Sequence, residues 1–297
     1  MAEPQHVPVL LEESLNFLNV RAGGVVVDAT LGFAGHSLAI AKRLGAKGRL
    51  IAFDRDEQAM ELAKARLAGL AEEMRAEMPT VEFVARPFSE IAEVVLPGTL
   101  DGLLADVGVS SLQLDEAHRG FSFRSDGPLD MRMDTRSGLT AEQVVNQADE
   151  EDLANLIYEF GEERRSRRIA RAIVRARPIT TTAELARVVS AVAPPIKGEK
   201  IHPATRTFQA LRIRVTDELG EIQSLLKSAG SLLKPGGRVV MISFHSLEDR
   251  LVKDSFRESA KADVLEILTK KPVMAKEQEA LRNPRARSAK LRAAEKV

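Results

Sequence analysis

A chain of 297 residues with 43 Lys/Arg balanced by 43 Asp/Glu and a 44% apolar content has the size and composition of a globular protein with a substantial core. It contains no cysteine. Disulfides, thiolate metal sites and a cysteine nucleophile are therefore excluded, and with them cytosine C5 methylation through a thiol adduct and radical chemistry on a cysteine-held iron–sulfur cluster. The neutral total is unevenly spread: residues 1–110 hold 16 acidic and 10 basic side chains, residues 161–214 hold 13 basic and 4 acidic, and residues 282–297 hold 6 basic and 1 acidic.

No apolar run approaches the roughly 18 residues of a membrane span, and Met1 to His6 lacks the basic and apolar segments of a signal peptide. The expectation is a cytoplasmic protein. Val25-Val26-Val27-Asp28 is a β-branched run that predicts a buried parallel strand. A small-residue loop, Ala29 to Gly35, leads into a helix over His36 to Leu44. A second strand is expected over Arg49 to Asp54, a helix over Gln58 to Leu70, a third strand over Val81 to Val84 and a fourth over Leu100 to Asp106. Strands alternating with helices predict a parallel sheet covered on both faces.

The alternation stops from Asp115 to about Pro195, where helices are expected, with starts at Thr140-Ala141-Glu142-Gln143 and Thr182-Ala183-Glu184-Leu185 and a linker at Pro194 to Gly198. It resumes with one long helix over Thr207 to Leu233, a tight turn at Lys234-Pro235-Gly236-Gly237, a fifth strand over Arg238 to Ile242, and a helix over Leu247 to Phe256. Val264 to Thr269 and Ser288 to Ala294 are a final pair of strands. The fold class expected is α/β, with an α/β domain over 1–114 and 203–297 interrupted by an all-helical domain over 115–202.

Ligands of parallel α/β sheets bind outside the carboxyl ends of the strands. Asp28, Asp54 and Asp106 stand at three such ends. The acid after a second strand can accept ribose hydroxyls, a device that nicotinamide enzymes share. The first loop, Asp28-Ala29-Thr30-Leu31-Gly32-Phe33-Ala34-Gly35-His36, carries two glycines instead of the three of a dinucleotide fingerprint. An acid at its start would repel a pyrophosphate but suits a cofactor carrying an ammonium and a sulfonium.

These blocks, together with Phe53-Asp54-Arg55-Asp56, Asp106-Val107-Gly108-Val109-Ser110-Ser111-Leu112-Gln113, Arg119-Gly120-Phe121-Ser122-Phe123, Gly127 to Met133, His202 to Ala210, Ser243-Phe244-His245-Ser246-Leu247-Glu248-Asp249-Arg250 and Asn283 to Ser288, resemble the ribosomal RNA small subunit methyltransferase H family over nearly the whole chain. The resemblance implies a Rossmann-like class I methyltransferase with a mostly parallel seven-stranded sheet. It also implies S-adenosyl-L-methionine as cofactor and N4-methylation of a cytidine in the decoding region of 16S rRNA. By motif it places Ala34, Gly35, His36, Asp54, Phe88, Asp106 and Gln113 at the cofactor, and Asp28, from its place at the end of the first strand, suits the cofactor's amine directly or through water. The family usually carries glycine where this chain has Ala34, whose methyl group fits if the backbone there has negative φ.

Methyl transfer to a nitrogen needs positioning and an acceptor for the N4 hydrogens. Asp106 is assigned to that task, to cofactor binding, or to both, with Ser110 and His245 as further catalytic candidates. Many amino-methyltransferases carry an aromatic stacking residue after the fourth strand; here Asp106-Val107-Gly108-Val109 lacks it, and Phe121, Phe123 or Phe244 are its possible replacements. His36, His118, His202 and His245 show no metal-ligand spacing, so no metal is expected.

A helix is read from Gly161 to Arg175, with Glu162 and Glu163 in its first turn and Arg164, Arg168, Arg171 and Arg175 on one face opposite Ile169, Ala170 and Ile173. Such a row suits an RNA phosphate backbone. The partners expected are 16S rRNA within the small ribosomal subunit and, as an option the sequence leaves open, a second copy of the chain; no membrane is expected. The alternatives left open are a methyltransferase on another nucleic acid, a nicotinamide oxidoreductase, and a non-catalytic rRNA-binding assembly factor.

Overall fold

The structure is a computed structural model that describes residues 8–108, 111–135, 138–195 and 201–297. Its elements run α1 (Leu11–Leu18), β1 (Val25–Asp28), α2 (Gly35–Leu44), β2 (Arg49–Phe53), α3 (Glu57–Met74), β3 (Thr80–Val84), α4 (Ile91–Val94), β4 (Leu100–Asp106) and α5 (Ser111–Asp115). They continue with α6 (Ala141–Gln147), α7 (Glu150–Gly161), α8 (Ser166–Ala176), α9 (Thr182–Val192), α10 (Thr205–Thr216), α11 (Glu218–Leu232) and β5 (Leu233–Ser243), then α12 (Ser246–Lys261), β6 (Leu265–Ile267), β7 (Val273–Met274), α13 (Glu277–Arg282) and β8 (Lys290–Lys296). The chain divides into two compact units, one from residues 1–108 with 219–297 and the other from 109–218.

The first unit is built on a sheet in the order β3-β2-β1-β4-β5-β8, with β6 and β7 pairing in succession along the outer edge of β8. Neighbours from β3 to β5 are parallel, and β8 runs antiparallel to β5. The expected pair of closing strands is thus three short ones filling the last two positions of a sheet seven places wide.

Alternate residues of each strand feed opposite layers, as the pleat demands. Val26, Leu50, Ala52, Leu104, Val240 and Ile242 pack beneath α1, α2 and α3 through Leu15, Leu18, Ile40, Leu44, Met60 and Leu67. Val27, Ile51, Phe53, Leu103, Val239 and Met241 face the opposite layer, where Ile222, Leu225, Ala229 and Leu232 of α11 and Val252 and Phe256 of α12 cover them. This is the doubly wound arrangement the Rossmann-like expectation required. Chain direction across the sheet reverses between β1 and β4, so the carboxyl ends of these strands form the switch point at which ligands are admitted.

The second unit has its own core, in which Leu153, Ile157, Ile169, Ile173, Leu185, Val189, Phe208 and Leu211 are almost completely buried. Thr140 and Thr181 cap α6 and α9 through reciprocal bonds with Gln143 and Glu184. The second cap lies one residue before the start read from sequence; each cap contributes about 1 kcal/mol. Among the described residues the strand content of this unit is a single bridge, Pro128 with Thr181. Its compact boundary lies at Glu218 rather than near 202, because Phe208 and Leu211 of α10 join the helical core.

Three local expectations are corrected. The long helix over 207–233 is two helices, because Asp217 adopts left-handed φ 53° and ψ 36° between them. The turn at 234–237 is an irregularity inside β5: Leu233 pairs with Leu100 and Arg238 already pairs with Gly102. The helix over 161–175 is broken at Glu162, with φ 49°, and α8 begins only at Ser166. Among the described residues no helix is long and apolar enough to cross a membrane.

Candidate active site at the carboxyl edge of the sheet

Asp28 closes β1 and is 1% exposed. Its Oδ1 accepts the Thr30 N–H at 3.1 Å and its Oδ2 the Ser37 hydroxyl at 2.6 Å. Burial raises its pKa, opposed by the nearby His36 ring and these hydrogen bonds. The loop that follows is tied to its neighbours by its own polar atoms. Leu31 N donates to Phe53 O at 2.9 Å, and Thr30 Oγ1 accepts the Asp106 N–H at 2.7 Å. The first, second and fourth strand ends are therefore one hydrogen-bonded assembly.

Ala34 ends this loop with φ 58° and ψ 23° and is fully buried. The condition of negative φ is not met: the turn into α2 takes a left-handed residue, and the chain accepts the Cβ penalty there. Gly35 has a different reason to be glycine, since a Cβ would stand 3.1 Å from Pro8 Cβ and Cγ. His36, in the first turn of α2, is 5% exposed. Its Nε2 lies 3.0 Å from the Val9 carbonyl and its Nδ1 3.8 Å from Asp106 Oδ2. The carbonyl contact assigns the proton to Nε2, so a lone pair faces Asp106. Burial lowers the His36 pKa, which keeps the ring neutral.

Asp54 follows β2 and ties two turns: Oδ2 accepts the Gly32 N–H and Oδ1 the Asp56 N–H, each at 2.9 Å. Burial pushes its carboxyl up to about 6, against those two bonds. Asp56 in turn caps α3 by accepting from Gln58 N and Ala59 N at 3.1 and 3.3 Å. Phe88, half-buried, opens the short turn after β3 and packs against the core layer that includes Phe53 and Val84. Glu221 of α11 fixes that turn by accepting the Ser89 N–H at 3.2 Å.

Asp106, at the end of β4, is also strongly perturbed. Its side chain is 22% exposed, and Oδ1 is buried with no hydrogen-bond partner among the described residues. Burial, then the charges of Asp28 and Glu248, push its carboxyl up to about 8, with Arg285 pulling the other way. An unsatisfied buried acceptor at a switch point, ringed by other acids, fits a cationic ligand or a hydrogen-bond donor and would repel a phosphate.

Beyond β5, His245 is the N-cap of α12. Its Nδ1 faces Glu248 N at 3.4 Å and its Nε2 stands 3.1 Å from Glu248 Oε1. Nδ1 is thus directed at the helix start, while Nε2 stands beside the Glu248 carboxylate. Glu248, completely buried, accepts from Phe244 N at 2.7 Å and His245 N at 3.2 Å through Oε2. Glu248 and Thr30 did not stand out in the sequence as members of the site; the His-x-x-Glu spacing of a capping box was the signal available for the first.

Of the remaining expected residues, Ser110 lies outside the described residues. Gln113, on α5 of the second unit, is buried. In that unit Arg168, Arg171 and Arg175 are exposed on α8, opposite the buried Ile169, Ala170 and Ile173. Arg164 is exposed in the turn before α8, not within it. Glu163, expected in a first helical turn, is instead buried between Arg165 Nε at 3.0 Å and Arg206 Nη1 at 3.6 Å. Its pKa is lowered by these two guanidiniums in spite of the burial.

Comparison with known proteins agrees with this chemistry. The chain is 67% identical over 296 residues to a ribosomal RNA small subunit methyltransferase H of Acidobacterium capsulatum, covering 100% of both chains. It is 57% identical to the enzyme of the same name from Koribacter versatilis, over 97% of this chain and 93% of that one. The corresponding protein of Geobacter sulfurreducens is 50% identical, with 98% and 99% coverage. The model of the MraW methylase family matches residues 3–297, and the chain belongs to that family.

Proposed function

We propose that this methylase uses S-adenosyl-L-methionine to methylate N4 of a cytidine in the decoding region of 16S rRNA within the small ribosomal subunit. The observation that carries the reading is the acidic carboxyl edge of the sheet, where buried Asp28, partly exposed Asp54 and the unsatisfied Oδ1 of Asp106 follow strands at a switch point. When bound, the cofactor supplies a methyl group activated by attachment to a sulfonium. Asp54 is the residue suited to its ribose hydroxyls, and Asp28, with Ala34, Gly35 and His36 behind it, to the ammonium end. Phe88 and Gln113 are assigned to the same ligand by family motif.

Asp106 performs the second task. A carboxylate accepting an N4 hydrogen concentrates the amine lone pair on nitrogen and so raises its nucleophilicity. As the new N–C bond forms and the bond from sulfur to the methyl carbon breaks, the displaced N4 proton passes to Asp106 or to water. A group near pH 8 can both accept that proton and release it. Ser110 and His245 remain candidate acceptors, and His245 also caps the turn into α12.

The exposed Arg164, Arg168, Arg171 and Arg175 suit the phosphate backbone of the substrate. The helical unit that carries them is the proposed substrate-recognition domain. Small subunits from cells lacking the protein, incubated with the full chain and methyl-labelled cofactor, are expected to acquire one N4-methylcytidine by nucleoside mass spectrometry. Absence of that nucleoside, or label on another base, rejects the reading.

A further inference from the structure

The transferring edge holds acids for charge but needs a surface for the base itself, because a cytosine offers two apolar faces and in-line transfer demands a fixed ring plane. Three phenylalanines are available in sequence, and the structure separates them. Phe121 is 5% exposed in the helical core, and Phe123 is packed against the His202 ring at 4.7 Å and the Phe208 ring at 4.8 Å. Phe244, half-buried as Phe123 is and packed against the edge of the layer beneath α1 to α3, is the one of the three that follows Ser243, the last residue of β5, at the carboxyl edge of the sheet.

Its surroundings tie it to the acid. Val107 N donates to Ile242 O at 3.0 Å, which holds the segment after Asp106 against the end of β5. Gly108 has φ 112°, a conformation closed to other residues without strain, and a Cβ there would stand 3.4 Å from Phe244 Cδ2. The Phe244 N–H is held at 2.7 Å by Glu248, a carboxylate with no solvent exposure. Burying a charge is costly, and here its hydrogen bonds go to the backbone of the turn that presents this ring.

We propose that Phe244 is the stacking platform for the target base, placed next to Asp106 by the Gly108 contact and the Glu248 clasp. The inference rests on the methyl-transfer reading and adds a positioning residue to it. The ring supports one face of the cytosine while Asp106 meets its exocyclic amine. Phe244→Tyr keeps the π surface and Phe244→Leu removes it with little change in apolar character.

The experiment uses the full chain and small subunits that lack the methyl group. Cofactor affinity by calorimetry and the thermal midpoint are followed in parallel. Phe244→Leu is expected to lower kcat/KM by about tenfold to a hundredfold, most of it in kcat because phosphate contacts still hold the subunit. Cofactor affinity should be unchanged, and Phe244→Tyr should retain wild-type rates. A Leu variant with wild-type kcat and KM overturns the proposal, as does a Tyr variant as damaged as Leu or a matching loss of cofactor affinity. If wild-type protein itself transfers no methyl group, the methyl-transfer reading fails first and takes this proposal with it.

Discussion

The acids at the sheet edge and the arginines of the helical unit use charge in opposite ways. Among the described residues, Asp28 and Asp54 are tied to specific backbone groups, Asp106 is not, and burial raises the pKa of all three. Arg164, Arg168, Arg171 and Arg175 are exposed, and Arg171 forms an exposed pair with Glu150 at 3.3 Å, of a kind worth little. Desolvated carboxylates select one small cation by geometry. Solvated guanidiniums select a polyanion by number, and do so with salt dependence.

The comparison can be broken most forcefully at Asp54. Asp54→Ala removes the anchor of two turns along with a proposed ribose acceptor, and calorimetry is expected to show cofactor affinity reduced by about a hundredfold or more. Replacing Arg164, Arg168, Arg171 and Arg175 by Gln should weaken binding to small subunits by about tenfold to a hundredfold at moderate salt, and flatten the log–log salt slope by up to about 3. Cofactor affinity should not move. An unaltered slope would remove this face from the RNA footprint.

Asp106 sharpens the contrast through pH. Its folded pKa lies above its unfolded value, so the folded state binds more protons between about pH 4 and 8, and the stability it contributes is lost as pH rises through that window. Asp106→Asn should therefore be the more stable protein without cofactor at pH 9, by roughly 2 kcal/mol after allowing for partial solvent access, and should lose that advantage below pH 5. Denaturant titrations at both pH values test this. Binding of a cation beside Asp106 at pH 7 should release protons, seen as a buffer-dependent calorimetric enthalpy. The smallest effect expected is at Ala34, where Ala34→Gly relieves left-handed strain and raises stability by about 0.5–1 kcal/mol in thermal melts.

Much of the sheet was legible because β1, β2 and β4 are runs of largely apolar residues that end in or are followed by an acid, and β1 and β4 lie where they were read. The helix starts at Thr140 and Thr181 were marked by local capping chemistry. The break at Asp217 was not legible, since a continuous apolar pattern runs across it and only a left-handed φ ends α10. Glu163 was misplaced for a similar reason: a charged pair before an arginine run reads as a solvated first turn, whereas its burial depends on Arg206, distant in sequence.

The sequence by itself determined that this is an α/β protein with acids at strand ends, no thiol chemistry and an arginine-rich helical segment, because composition and local periodicity are properties of neighbouring residues. Only the tertiary structure decided which of those residues act on one another. It turned His245 toward its own helix, left Asp106 Oδ1 without a partner among the described residues, set Phe244 against Gly108 and gave Ala34 a glycine's conformation. Each of these depends on how much water and charge surround an atom, which pairing between distant strands sets and no short window of sequence contains.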